Sequence, residues 1–421
     1  MSRTTPNEVS SPPAGQPTCL GAEPVSYCSP QASAAVGQVR VLELNSLLTG
    51  GGTDDRGLNV ARGLIQLGHA VWLAGPGGRA YSQRAQAAGV PLHPVPTGGL
   101  LRLPLIVALV RLLRRHRPDI VQARHGRDYW PAVLAVRLSG LRPRLVLCRH
   151  LAKSPSSWFS RRYLLSVCDA MVAVSCFVAR VLREGVFEPD SPEPERRRRP
   201  PMRGDIRKIH VIYGGFDLDR FKPTEPPLAL RAQWGLKPQH FAFGVVGGYN
   251  RPRGKGQREF LQAAARVAEV LPQARFLIIG RGNLGPVLEA DIHRLGLQGR
   301  AWLTPYCLDM AQGMNALDCL VHPQVGTEAL PGVVIEAHAC GKPVIATTID
   351  GNPEAFQVAG YGQLIPPESV EALAAAMQRW ATRPPLDMPA RWELHRRVRE
   401  QFSLDQAARN YVALYQRLLA A

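Results

Sequence analysis

The chain has 421 residues, 45% of them hydrophobic, and a formal net charge of +18. That length allows two or three domains with their own cores, and that apolar content excludes a largely disordered protein. No apolar run is long enough to span a bilayer, since the nearest, Leu100 to Leu113, is broken by Arg102 and Arg111, and the excess of cations suits an anionic partner.

Residues 1–37 are rich in Pro, Ser, Gln and Gly and lack the apolar core of a signal peptide, so they read as a disordered tail. Order begins near Val39 with the strand VRVLELN. A turn at Gly50 to Gly52, a helix to Leu67 and a second strand, AVWLAG, complete a β-α-β opening. Further strands are expected at 120–124, 144–150 and 170–175, with helices between them. Such alternation predicts a parallel doubly wound sheet in a domain spanning 38–217. His125 and His150 end two of these strands, and carboxyl ends of parallel strands face the ligand crevice. Residues 187–208, FEPDSPEPERRRRPPMRGDIRK, are Pro-rich and switch from acidic to basic. They read as a flexible surface insertion, with Arg196 to Arg199 as an anionic-lipid or phosphate contact.

A Pro-rich link at 218–239 precedes a restart of the pattern at Phe241, which defines a second domain over 240–385. Its strands are expected at FAFGVV, ARFLIIG, ALDCLVH and KPVIATT, and residues 386–421 read as amphipathic helices. The eight cysteines form no CxxC pair, and several sit in apolar runs. This favours buried free thiols in a reducing cytosol and argues against structural zinc.

The most informative stretch is Thr327 to Ala346, TEALPGVVIEAHACGKPVIA. Glu328 and Glu336 stand eight positions apart, with Pro331 and Gly332 between them. Gly341 and Pro343 mark a helix stop, so Glu336 belongs in a short helix and Glu328 in the loop before it. Eight residues at helical rise span about 12 Å, on the order of the distance between the sugar and ribose ends of a nucleotide sugar. Backbone amides at the helix start suit the diphosphate between them. A basic loop, GGYNRPRGKGQ, lies between a strand and a helix and supplies fixed cations. Asp217 and Asp219 form a DxD-like pair.

The Glu-x7-Glu segment with its flank A-x-A-C-G-K-P-V-I-A resembles the donor-site signature of family 4 glycosyltransferases, which have the GT-B fold and retain anomeric configuration. The basic loop is similar to the family's G-R-L-x-x-x-K-G motif. Lys255 stands at the motif lysine, whereas Asn250 stands where the arginine belongs, with Arg251 one residue later. TGGGTDDRGLNVARGLIQLGHAV resembles the family's opening turn, which implies that Gly51 and Gly52 approach the donor. GRG at Gly280 to Gly282 resembles its G-x-G turn near the nucleotide. The linker departs from the family's I-x-N-G-V-D, with Gly214 in the Asn position, and the place of Asp217 and Asp219 in this stretch argues for the end of the first domain instead of a metal site.

The resemblance covers roughly residues 38 to 420 and implies two Rossmann-like domains facing across a cleft, with the last helix crossing back. It implies a metal-independent, cofactor-free enzyme that moves a sugar from a nucleotide sugar to a glycan or lipid-linked acceptor, such as a lipopolysaccharide or capsule precursor. The catalytic set it implies is Glu328, Lys255, Arg251 and His150. Donor contacts would add Leu330, Gly332, Glu336, Gly280, Gly282, Gly51 and Gly52, and His125 and His150 would face the acceptor. Arg111, Arg114, Arg115 and Arg117 beside an apolar helix suit a cytoplasmic enzyme held peripherally on the inner membrane face. Rival readings are a sugar-nucleotide epimerase of the same fold and a basic nucleic-acid-binding protein. Against the latter, the cations are not interleaved with a stacking platform, and only 7% of residues are aromatic.

Overall fold

The structure is a computed structural model that describes residues 37–47, 52–97, 102–192, 194–305 and 307–421, without the side chains at 52–55 and 79–80. Residues 1–36 of the expected N-terminal tail lie outside the described residues. Two all-parallel sheets organise the chain. The first comprises β1 (Arg40–Leu44), β2 (Ala70–Gly75), β3 (Leu92–Pro94), β4 (Ile120–Ala123), β5 (Arg144–Arg149) and β6 (Ala170–Ala173). After a two-stranded ribbon, β7 (Val186–Phe187) with β8 (Arg198–Arg199), it is completed by β9 (Ile209–Val211), in the order β3-β2-β1-β4-β5-β6-β9. The second contains β10 (Phe241–Val246), β11 (Ala274–Ile279), β12 (Ala301–Leu303), β13 (Cys319–His322), β14 (Val344–Thr347) and β15 (Gly362–Ile365), in the order β12-β11-β10-β13-β14-β15. Central strands read as near-continuous apolar runs because helices cover both faces; β4, β6, β13 and β14 are buried at every position.

The expected architecture of two Rossmann-like, doubly wound domains is therefore present. In each, the strand order reverses beside the first strand: between β1 and β4, and between β10 and β13. Loops leaving two such strands diverge to opposite sides and open a crevice at their carboxyl ends.

The chain returns to the first domain at its end. Phe216 accepts from Leu404 N and donates to Phe402 O, which pins the last two helices, Met388–Phe402 and Leu404–Ala420, to the end of the first domain. The last helix packs on Gly52–Gln66, and Gly63 permits the approach: a Cβ there would stand 2.8 Å from Ala408 Cβ. Beneath this helix lies an ion pair between Arg124 and Glu43, 2.6 Å apart and each 1% exposed. The Arg124 guanidinium sits over the Tyr411 ring, and Tyr415 bonds to Gln122.

The 187–208 segment, read from the sequence as a flexible surface insertion, is tied to the fold at several points. Val186 and Phe187 pair with Arg199 and Arg198, a short helix covers Pro194–Arg197, and Met202 N donates to Leu182 O. The basic run is also not uniformly presented to solvent. Arg197 and Arg198 are exposed, but Arg199 is buried between Asp350 and Glu188, and Arg196 pairs with Glu188. A Pro-rich, charged sequence orders here because its cations find carboxylates in both domains.

Candidate active site

The second switch crevice gathers the strongest chemistry. The loop after β10 carries Lys255, and the loop after β13 carries Glu328. Residues 73 positions apart thus meet, with Lys255 Nζ 2.5 Å from Glu328 Oε2. The pair is partly open, at 30% and 15% side-chain exposure, and its lysine lines the adjoining cleft. Burial pushes the Glu328 carboxyl up, but Lys255, His322 and Arg56 together outweigh it and hold its pKa below the ordinary carboxylate value. A hydrogen-bonded carboxylate and ammonium are thus poised where an anionic ligand would compete for the ammonium.

Helix Gly332–Ala339 starts four residues after Glu328 and ends before Gly341, which takes a left-handed φ of 70°. Glu336 lies inside it, half-buried. The helix start leaves backbone N–H groups without intrahelical partners, and Gly332 meets Arg56: a Cβ there would lie 3.0 Å from the guanidinium Nη2. Leu330 is buried, and its carbonyl accepts from Arg56 Nη2 at 3.1 Å. Arg251 lines the adjoining cleft, of about 920 Å³, together with Asn250, Lys255, Gln324 and Thr327. Pro192, Pro194 and Glu195 of the 187–208 segment form its opposite wall. Arg253 lines it too and pairs with Glu368, 2.6 Å distant.

Gly280 and Gly282 have a different immediate cause from ligand approach. A Cβ at Gly280 would lie 2.2 Å from Gly247 O, and one at Gly282 would lie 2.4 Å from Tyr249 O. The loops after β10 and β11 pack backbone to backbone, which shapes the Lys255 loop. Gly52 opens helix Gly52–Gln66 on the first-domain side; Gly51 lies outside the described residues. His150 follows β5, and neither ring nitrogen has a hydrogen-bond partner among the described residues. Burial, then Arg124, Arg56 and other neighbouring cations, hold its pKa well below the ordinary value, so it is a neutral imidazole in a positive field. His125 follows β4 and lies close enough to His150 to act on its charge. The DxD-like pair is spoken for: Asp217 binds Arg62 at 3.0 Å, and Asp219 binds Arg399. Among the described residues no cluster of His, Cys, Asp and Glu is arranged to hold a metal ion, and the six described cysteines carry free thiols.

Several residues not anticipated from the sequence complete the crevice. His322 ends β13 and stands close enough to Lys255 and Glu328 to feel both charges. Burial, then Lys255, pushes it down to about 3, and its ring nitrogens lack partners among the described residues. Its position at a strand end was a usable signal. Across the domain junction, Ser175 Oγ donates to Ala329 O, and Glu354 accepts from Cys176 N and Phe177 N at the start of helix Cys176–Arg183. Asp350 accepts from Glu328 N at 3.2 Å and binds Arg199 at 3.0 Å. These contacts between domains leave no local sequence pattern.

Two family models match, one per half: Glycosyltransferase Family 4 over residues 50–191 and Glycosyl transferases group 1 over residues 240–383. A D-inositol 3-phosphate glycosyltransferase of Segniliparus rotundus is 34% identical over 164 residues, 37% of this chain and 36% of that protein. The chain thus aligns with little more than a third of this curated relative's length. A glycosyltransferase of Rickettsia africae superimposes with a TM-score of 0.76 at 20% identity, covering 91% of this chain and 99% of that one. The Anabaena protein HepE, solved with UDP and glucose, gives 0.72 at 20% identity, covering 90% of this chain and 100% of that one. At such identities the structural likeness establishes the fold.

Proposed function

The chain belongs to the group 1, family 4 glycosyltransferases, and from that premise we propose that it transfers a sugar from a nucleotide-sugar donor, with retention and without a metal, to a glycan or lipid-linked acceptor. The observation that carries this reading is the Lys255–Glu328 pair at the switch point of the second domain, beside a helix start. The donor diphosphate would lie against Lys255 and Arg251, which neutralise the charge that grows as it leaves. Glu328 would bind hydroxyls of the donor sugar and support an oxocarbenium-like transition state, Glu336 would hold the ribose, and amides at the Gly332 helix start would meet phosphate oxygens. His150, with His125, would line the acceptor side.

A panel of nucleotide diphosphate sugars tests the reading by thermal shift, since a ligand that binds only the folded chain raises its melting temperature. We expect one base and sugar to stand out and to be turned over after exhaustive chelation. Activity abolished by chelation and restored by magnesium or manganese would refute metal independence. Conversion of the donor without any acceptor would instead favour an epimerase.

For the acceptor we favour a lipid-linked saccharide of cell-surface polysaccharide synthesis, used at the inner face of the cytoplasmic membrane. Helix Leu103–His116 turns Leu105, Ile106, Leu109 and Leu113 to the core and leaves Leu103 and Val107 exposed together with Arg111, Arg114 and Arg115. Further apolar surface comes from Leu138, Trp158 and Phe159, at 61%, 60% and 51% exposure on two nearby helices. Cations beside exposed aromatic side chains suit an anionic bilayer surface. Co-sedimentation with anionic vesicles is expected, and its persistence after Trp158→Ser with Phe159→Ser would refute this face. No described helix is long and apolar enough to cross a membrane. A phosphorylated polyol is the second acceptor reading, favoured by the cations around His150 and by the name of the curated relative.

A further inference from the structure

The 187–208 segment reaches from the first domain to the loop that carries Glu328. Arg199 is 1% exposed and stands at the centre of the contact. Its Nη1 donates to both oxygens of Asp350 at 3.0 Å and to Ala152 O at 3.3 Å, and its Nη2 donates to Glu188 at 3.0 Å. Its guanidinium lies over the Phe177 ring, 5.0 Å from the centroid. Arg196 reinforces the cluster through Glu188 at 2.9 Å and stands 3.9 Å from Asp350.

Asp350, in turn, is fastened to the backbone of the Glu328 loop. It adopts a left-handed φ of 47°, rare for a residue other than glycine, and its Oδ2 accepts from Glu328 N at 3.2 Å. The next residue closes the other side: Gly351 N donates to Glu328 O at 3.0 Å, and a Cβ on Gly351 would collide with Ala329 O at 2.1 Å. Both backbone polar groups of Glu328 are therefore held by Asp350 and Gly351. The carboxylate that does the holding is itself held by an arginine of the other domain.

We propose that Arg199 is a positioning residue: through Asp350 it couples the docking of the first domain to the placement of Glu328 against the donor. The inference rests on the transferase reading and adds to it a part of this chain that carries none of its donor motifs. Arg199 is not among the residues that line the cleft, and its hydrogen bonds go to Asp350, Glu188 and Ala152 O. Its effect passes through one carboxylate and one backbone amide, and a fork of donors is needed because Asp350, Glu188 and Ala152 O surround it on different sides. Without the clamp, Glu328 still occupies its loop but samples positions off the reacting geometry, where displacements near 1 Å cost about 100-fold in rate.

The test compares Arg199→Lys, Asp350→Asn, the double variant and the exposed neighbour Arg198→Ala, using whichever nucleotide sugar the panel shows to be turned over. Arg199→Lys and Asp350→Asn are each expected to lower kcat by about 10- to 100-fold, with donor KM within about threefold. Arg199→Lys keeps the charge and should melt close to Arg198→Ala, whereas Asp350→Asn deprives the buried Arg199 of a carboxylate and should melt lower, so its kinetics are read well below its melting temperature. The double variant should be no worse than the more damaged single one, as for two members of one chain of contacts. Normal turnover in Arg199→Lys, a loss confined to KM, or a loss that tracks melting temperature overturns the proposal. Hydrogen exchange gives a reading that needs no catalysis: the peptide spanning residues 326–331 should exchange faster in Arg199→Lys than in Arg198→Ala. Unchanged exchange there overturns the clamp, whereas a wild-type chain inactive with every donor, yet showing the faster exchange, refutes the transferase reading and leaves the clamp standing.

Discussion

The two domains share a strand order, but they treat the charges at their switch points in opposite ways. In the first, Arg124 beyond β4 pairs with Glu43 of β1, and the last helix seals the pair at 1% exposure on each side. In the second, Lys255 beyond β10 pairs with Glu328 beyond β13; Lys255 lines a cleft, and the pair keeps 30% and 15% side-chain exposure. A sealed ion pair forgoes solvent and any ligand, so its worth lies in not being broken. An open pair can trade one partner for an incoming anion. One topology supplies the crevice twice, and what covers it decides whether the charges hold the fold or do chemistry.

Substitutions on the two sides should therefore fail differently. The largest expected effect is on stability, in the first domain. Arg124→Met strands Glu43 in the interior and should cost about 3–5 kcal/mol, read as a large fall in the thermal or urea midpoint. A change indistinguishable from wild type would mean that the sealed pair is not what holds the last helix. Next comes Lys255→Ala, which should alter melting far less than Arg124→Met but lower turnover by about 2.7–4 kcal/mol of barrier, by analogy with other lost transition-state contacts. Near-normal kcat would remove Lys255 from the diphosphate.

Within the second domain, Glu336→Ala sharpens the contrast between groups that meet changing and unchanging parts of the donor. A ribose contact is the same in ground and transition states, so the loss should appear in donor KM, by about 1–3 kcal/mol. An unaltered KM would take Glu336 out of the donor site.

The smallest expected effect is on pH dependence. Glu328 has a folded-state pKa below its ordinary 4.5, so the ionised pair contributes stability above that pH and loses it as pH falls through the lower folded value. Lys255→Ala removes the main charge that opposes burial, so the acid limb of the melting profile should move to higher pH. A limb that stays in place would mean that Lys255 does not set the charge of Glu328.

Local pattern carried the architecture. Apolar runs at strand spacing, broken by glycine turns and amphipathic helices, specify two parallel sheets because each buried strand needs cover on both faces. Pro331 and Gly341 bracket the helix that holds Glu336, and the loop before it holds Glu328, because those residue types act through their own backbone. The glycines of the GRG turn were legible as a motif, but not the reason for them, which is the backbone of another loop.

Tertiary structure decided which charges are partners. Arg199 binds Asp350 across 151 positions, and Arg56 reaches Leu330 O across 274. A run of four arginines, Arg196 to Arg199, looks uniform in sequence, yet the fold buries Arg199 and exposes Arg197 and Arg198. A charge goes inside only where a second charge awaits it. Periodicity records which face a residue takes, whereas its partner is set by how distant segments cross.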